Sequence, residues 1–266
     1  MNFENSIITG DCIEEMKKLP SEIVDLAFAD PPYNLEKDYG IYEDSNTAGN
    51  YINWTEKWLT EIIRLLKPDG SFYLLNLPKW TLYHAVFLDQ FLYRQNTIAW
   101  DALSTPRGKI MPAHYSLLYY TKSPHEYTFN KLTTKHNWTH CARVKCIKQR
   151  NASSLVEQPF SDIWTNIYRV KHRRKRHAHH PTQLPLTFME RIILTSSNEG
   201  DMVFDPFLGV GTTTIVAKLL RRKFLGIEIN PVYVQESLRK LNQVSSYQSR
   251  LEFQNKQQIM DLERFL

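Results

Sequence analysis

Ile23-Val24-Asp25-Leu26-Ala27-Phe28-Ala29-Asp30-Pro31-Pro32-Tyr33-Asn34 is the stretch that decides the fold class. Its apolar run to Phe28 reads as a buried parallel strand. The strand breaks at a carboxylate, two prolines and an aromatic ring. Proline fixes its own φ, lacks an N–H, and restricts the residue before it, while its carbonyl remains an acceptor. The turn therefore offers a carboxylate, an unpaired carbonyl and a flat ring at the carboxyl end of a strand, where open α/β sheets bind ligands. That set suits a planar ring bearing an amino group. A proline-rich turn with an incidental aspartate is the plainer alternative.

Outward from this point, strands and helices alternate. Ser6 to Cys12 reads as a short strand, followed by a helix with Ile13, Met16 and Leu19 in register and closed by Pro20. Residues 35–51 are polar and irregular, as expected of a lid or a disordered loop beside a site. Trp54, Trp58, Ile62, Leu65 and Leu66 recur at helical spacing and read as a core stripe. Lys67-Pro68-Asp69-Gly70 reads as a turn before the strand Ser71–Asn76; a helix over Tyr83 to Leu92 and strands over Asn96–Trp100 and Ser116–Tyr120 follow. Such alternation implies a doubly wound α/β sheet. The pattern stops near Asn130 and resumes at His180, which divides the chain into 1–130, an inserted segment 131–179, and 180–266. The last part carries a helix over Leu184–Leu194, a strand Met202–Asp205, a helix with Ile215, Val216, Leu219 and Leu220, a strand Phe224–Ile229 and a helix over Tyr233–Leu241. Beyond Val244 the chain is polar and Gln-rich, with Leu262 and Phe265-Leu266 as candidates for a short docking helix.

Composition narrows the classes. Of 266 residues, 42% are hydrophobic and 23% charged, which is globular rather than disordered. The net charge of +5 admits a polyanionic partner without requiring one. Three cysteines, Cys12, Cys141 and Cys146, are too few and odd in number for a disulfide framework. No apolar run approaches membrane-spanning length, and Met1–Asn5 lacks the features of a signal peptide, so the expectation is a soluble, cytoplasmic protein with no membrane partner.

A second constellation, Asp205-Pro206-Phe207-Leu208-Gly209-Val210-Gly211-Thr212-Thr213, joins a strand to a helix. A Gly-x-Gly turn alone is weak evidence. Here Glu228 ends the next strand, about 17 residues beyond Gly211, near the spacing at which an acid meets ribose hydroxyls. The third glycine of a pyrophosphate fingerprint is missing, which points to a nucleoside without a diphosphate and away from a dehydrogenase. Asp11 closes a third strand end, suited to an adenine amino group. A plain helix-entry turn with a surface Glu228 is the competing reading.

With Asp30-Pro31-Pro32-Tyr33 and Asp205-Pro206-Phe207-Leu208-Gly209-Val210-Gly211-Thr212-Thr213 both in hand, the chain resembles the β-class S-adenosylmethionine-dependent amino-methyltransferases of DNA. The motif order is the permuted one: the Asp-Pro-Pro-Tyr turn first, the basic segment second and the glycine turn last. Ser161-Asp162-Ile163-Trp164, His180-Pro181-Thr182-Gln183-Leu184-Pro185 and Phe224-Leu225-Gly226-Ile227-Glu228 fit as well, and the resemblance covers roughly residues 5 to 244 apart from most of 131–179. It implies a Rossmann-like seven-strand sheet with one reversed strand, the first strand lying beside the one ending in Glu228. It implies S-adenosyl-L-methionine as cofactor, with Asp205, Phe207, Gly209, Gly211, Thr212 and Thr213 at the methionine end. Glu228 would hold the ribose, Asp11 would lie near the adenine, Asp30 would border the cofactor, and Pro181, Thr182 and Gln183 would close the pocket. Asp30, Pro31, Pro32 and Tyr33 would be the catalytic group, clamping the amino group of a base flipped out of double-stranded DNA. The Asp form of the motif goes more often with adenine N6 and the Ser form with cytosine N4, so adenine is favoured. Cytosine-N4 or RNA methylation and a catalytically silent DNA-binding subunit are the rivals; the intact acid, prolines and tyrosine argue against the last.

The basic run Lys171-His172-Arg173-Arg174-Lys175-Arg176-His177 and the Arg107-Gly108-Lys109 group are candidate DNA phosphate contacts. A solvated charge run is the alternative for the first. His136, His140, Cys141 and Cys146, with His177, His179 or His180, include the residue types of a zinc site, but their spacing matches no standard finger, and no metal is expected. The resemblance also raises a homodimer and a cognate restriction endonuclease as partners, which no motif here decides.

Overall fold

In the computed structural model, the described residues are 3–35, 46–101, 113–136, 156–159, 161–165, 167 and 183–251. In chain order they form β1 (Ser6–Thr9), α1 (Cys12–Lys17), β2 (Val24–Ala29), α2 (Ala48–Leu65), β3 (Leu66–Asn76), α3 (Pro78–Leu88), β4 (Tyr93–Trp100) and β5 (Tyr115–Thr121). The series continues with β6 (Thr133–His136), β7 (Val156–Pro159), β8 (Ile163–Trp164), α4 (Leu186–Ser196), β9 (Met202–Asp205), α5 (Thr212–Leu219), β10 (Lys223–Glu228) and α6 (Pro231–Leu251).

The main sheet has the order β1-β10-β9-β2-β3-β5-β4-β8, and β6 pairs with β7 in a separate two-stranded ladder. Every pair in the main sheet is parallel except those made by β5, which runs against both β3 and β4. The expected single reversed strand is therefore β5, and β1 lies beside β10 as expected. Strands β2, β9 and β10 are buried along nearly their whole length, which explains why they read as unbroken apolar runs. Alternate residues feed two cores. Phe72 and Leu74 join Met16, Trp58 and Ile62 under α1 and α2, whereas Tyr73 and Leu75 join Phe188, Ile192 and Ile215 under α4 and α5.

Several boundaries differ from the sequence expectation, each for a physical reason. The sheet has eight strands rather than seven, because Ile163–Trp164 adds a parallel edge to β4. Two residues are too few to carry a period. Trp164 is nevertheless in the core, and the Trp100 indole donates to the Ile167 carbonyl at 2.9 Å. The inserted segment, where the alternating pattern stops, also holds the β6–β7 pair. Helix α2 begins at Ala48, inside the stretch assigned to the lid, where the Thr47 side chain accepts from the Asn50 N–H. Residues 36–45 of that lid lie outside the described residues, but its two ends are tied: the Asn34 amide donates to the Asn46 carbonyl and accepts from the Asn46 N–H, each at 2.7 Å. Helix α3 starts at Pro78, five residues earlier than expected, with proline in its first turn. Lys67–Gly70 does turn, as a bulge within β3: Leu66 pairs with Val24 and Ser71 with Leu26. Helix α6 runs on to Leu251, past the expected helix end at Leu241, and the docking-helix candidates Leu262, Phe265 and Leu266 lie outside the described residues. No described helix is long and apolar enough to cross a membrane.

Candidate active site

Four neighbouring strands lead into acids on one edge of the sheet. In sheet order, β1 leads to Asp11, β10 ends in Glu228, β9 ends in Asp205 and β2 leads to Asp30. These strands are parallel, so all four acids sit at the carboxyl edge. They line one cavity together with Pro31, Pro32, Tyr33, Gln183, Phe207, Gly209, Thr212 and Thr213.

One half of the wall is built by the β9 and β10 ends. Asp205 is buried, and its two oxygens accept from the Phe207 N–H at 2.9 Å and the Thr213 hydroxyl at 2.5 Å. Burial pushes its carboxyl up to about 7, the two hydrogen bonds oppose the rise, and the charges of Asp30 and Glu228 add to it. Glu228 accepts from the Gly209 N–H at 2.7 Å and the Asn230 N–H at 2.8 Å. Burial raises its carboxyl too, against the pull of those bonds. Asp11 caps α1 through one oxygen that takes both the Ile13 and Glu14 N–H groups. Phe207 is wedged between Trp54 and Trp58, with ring centroids 5.7 and 5.1 Å away.

The other half is the Asp30–Tyr33 turn. The Tyr33 hydroxyl donates to Asp30 Oδ1, and its ring packs on Tyr115 with centroids 5.6 Å apart. The Pro32 carbonyl accepts from the Tyr51 hydroxyl at 2.7 Å, and the Tyr33 carbonyl from the Trp80 indole at 2.8 Å. Two of the turn's acceptors are thus already engaged from α2 and α3. The arrangement can hold a cation or diol against Asp205 and Glu228 while presenting acceptors to a second group beside Asp30.

The DNA methylase family model matches residues 24–239. The chain belongs to that family. Type II methyltransferase M.BamHI of Bacillus amyloliquefaciens is 39% identical over 243 residues, covering 88% of this chain and 56% of M.BamHI. The chain therefore spans little more than half of M.BamHI's length. DNA adenine methyltransferase YhdJ of Escherichia coli strain K12 is 34% identical over 254 residues, covering 92% of this chain and 85% of YhdJ. In fold, the chain matches TTHA0409 from Thermus thermophilus complexed with S-adenosyl-L-methionine, with a TM-score of 0.63 at 22% identity, covering 90% of this chain and 94% of that one.

In this methylase, most of the residues singled out from sequence meet in the cavity, but not all. Gly211 is set back from the wall: it caps α5 in the left-handed region at φ 89°, with the Ser237 hydroxyl against its α-carbon. A β-carbon there would fall 1.9 Å from Ser237 Oγ, so the left-handed backbone and the packing of α5 on α6 both favour glycine at this position. Pro181 and Thr182, the phosphate-contact candidates Arg107, Lys109, Lys171, Arg173, Arg174, Lys175 and Arg176, and all the zinc candidates except His136 lie outside the described residues. Among the described residues no group of metal-ligating side chains is assembled. Sequence reasoning missed Trp54, Asn230 and Tyr233, which also line the cavity. Trp54 was assigned wholly to the core stripe, although it shares that stripe with buried Trp58. Asn230 and Tyr233 had a usable signal: Pro231 at a helix start, with the Asn230 side chain accepting from the Val232 N–H at 3.0 Å.

Proposed function

We propose that this methylase transfers a methyl group from S-adenosyl-L-methionine to N6 of adenine in double-stranded DNA, at a specific site. The observation that carries the reading is that Asp30 and Pro31 line one cavity together with Asp205 and Glu228. The donor set fits the cofactor: a buried carboxylate for a cationic amino acid end, a second for ribose hydroxyls, and Trp54 and Phe207 as apolar walls. When bound, the cofactor supplies a methyl group on a sulfonium cation.

Asp30 and the Pro31 carbonyl accept the two N–H bonds of the exocyclic amine. They turn its lone pair toward the cofactor half of the cavity. Orientation and preset electrostatics in a water-poor site then supply most of the acceleration. Asp30 is placed to take the proton that the amine releases, and the Tyr33 hydroxyl keeps the carboxylate aimed. A base inside a duplex cannot reach this depth, so it leaves the stack and meets the Tyr33 side of the cavity. Residues 131–179 are the target-recognition segment, with Lys171, Arg173, Arg174, Lys175 and Arg176 on phosphates and Arg107 and Lys109 as a second contact.

The adenine assignment is supported by the Asp-Pro-Pro-Tyr turn and by the name of YhdJ. The type II name of M.BamHI supports a cognate restriction endonuclease as partner; a homodimer is the other partner in this reading, checked by sedimentation of the purified chain. A DNA substrate and the buried free thiol of Cys12 suit a reducing cytoplasm. The test is to incubate the protein with labelled cofactor and mixed-sequence duplex DNA, digest to nucleosides and identify the labelled one. N6-methyladenosine in its deoxy form is expected. Label on cytosine N4 would replace the adenine assignment, and no label in DNA would sink the reading.

A further inference from the structure

We propose that Tyr51 and Trp80 are positioning residues for methyl transfer: they hold the third and fourth carbonyls of the Asp30–Tyr33 turn, those of Pro32 and Tyr33, leaving the Pro31 carbonyl to face the amine. This rests on the clamp reading of Asp30. The turn has little means of holding itself, because Pro31 and Pro32 contribute no N–H to a local hydrogen bond. Its support comes from elsewhere in the chain. The Tyr51 hydroxyl donates to Pro32, and the Trp80 indole donates to Tyr33. Tyr51 is itself fixed, since its oxygen accepts from the Asn76 amide at 2.9 Å. Asn76 ends β3, the strand next to β2, so this chain of bonds is referenced to the same sheet edge as Asp30.

The supporting rings also lock one another. Tyr51 and Trp80 have centroids 4.6 Å apart, and both are buried, as is Asn76. Buried donors in fixed rotamers can hold an acceptor turn to the few tenths of an ångström that a reacting pair requires. Neither hydroxyl nor indole needs to touch the substrate for this. Among the described residues none donates to the Pro31 carbonyl. The geometry thus selects which carbonyl remains available, and a loosened turn would misaim the amine without emptying the cofactor half.

Tyr51→Phe and Trp80→Phe remove one donor each and keep an aromatic ring. Each is expected to lower kcat about 10- to 100-fold, with KM for S-adenosylmethionine changed less than about twofold. Tyr120→Phe is the control, because it removes a hydroxyl that bonds Asp89 at 2.7 Å, outside the cavity. Its kcat should stay at the wild-type level while its thermal midpoint falls as far as that of Tyr51→Phe. Wild-type kcat in Tyr51→Phe and Trp80→Phe, or equal kcat losses in all three variants, would overturn the proposal. Asp30→Ala separates it from the clamp reading. If Asp30→Ala is inactive while both positioning variants are fully active, only the positioning role fails; if Asp30→Ala is active, the clamp and its supports fall together.

Discussion

The two halves of the cavity wall, the one proposed to hold the cofactor and the one proposed to hold the base, are held in different ways. In the cofactor half, Asp205 bonds to Phe207 and Thr213, two and eight residues away, and Glu228 to Asn230 and Gly209, two and nineteen away. These contacts lie within one strand–turn–helix unit and its neighbour. In the base half the Asp30 carboxylate is held locally by the Tyr33 hydroxyl, whereas the Pro32 carbonyl is held from 19 residues away and the Tyr33 carbonyl from 47, by side chains of α2 and α3. The glycine turn has backbone N–H groups to spare for its acids, whereas the proline turn has lost its own. A motif built from glycines therefore brings its support along in sequence, and a motif built from prolines must borrow it from the tertiary structure. Asp30→Ala probes the contrast most sharply. Methyl transfer should fall at least about 1,000-fold, while cofactor binding by calorimetry stays within a few-fold of wild type. Retention of more than a few per cent of the rate would remove Asp30 from its assigned role.

The next largest effect belongs to the cofactor half. Folding raises the Asp205 carboxyl from its ordinary range near 4 to about 7. A raised acid favours the folded state below its unfolded value, and that contribution is lost as pH climbs through the folded value. Without ligand, this group alone should cost the fold on the order of 3–4 kcal/mol between pH 4 and 7. Asp205→Asn should flatten that part of the stability-against-pH curve in urea titrations. An unchanged slope would show that Asp205 titrates normally. The same substitution removes the negative charge that suits a cationic ligand, so cofactor affinity should differ from wild type more at pH 8 than at pH 5.

Gly211→Ala is expected to have a smaller effect and to act on stability rather than chemistry. The new methyl meets Ser237 Oγ in a backbone region that disfavours side chains. A loss of about 2–3 kcal/mol is expected, seen as a drop of several degrees in the thermal midpoint. Adding Ser237→Ala should recover the packing part and leave the backbone part. If the double variant is no better than the single one, the contact with Ser237 is not what makes this glycine necessary.

The same contrast decides what the sequence made legible. Strands β2, β9 and β10 announce themselves as apolar runs closed by Asp30, Asp205 and Glu228, and those acids do share a cavity. The family resemblance implied one reversed strand without saying which, and the sheet makes it β5. Tyr51 and Trp80 carried no signal, for two different reasons. Tyr51 sits in a polar stretch that reads as loop, and only the Thr47 cap marks the helix start. Trp80 lies on a helix that is apolar nearly all round, so no periodic face sets its inward residues apart. Strand β8 is shorter than any period, and its place beside β4 shows only in the register, where Trp164 pairs with Trp100, while both rings pack on Phe188.

The smallest effect at neutral pH lies behind the base half and has the opposite pH sign to Asp205. His84 on α3 is buried, and neither ring nitrogen has a hydrogen-bond partner among the described residues. Its ring sits 5.9 Å from that of Tyr51. Burial alone lowers its imidazole to about 4. A histidine lowered in this way favours the folded state above its unfolded value near 6.5, and the contribution is lost as pH falls toward 4. His84→Phe should therefore leave stability nearly unchanged at pH 8 and raise it by about 2–3 kcal/mol at pH 4 relative to wild type. The cofactor half loses stability as pH rises and the base half as pH falls, so the two substitutions should tilt the curve in opposite directions. If His84→Phe destabilises equally at both pH values, the ring is packing against Tyr51 for shape alone and its ionisation is irrelevant. If it tilts the curve as expected, protonation of His84 behind the proline turn contributes to the loss of stability in acid.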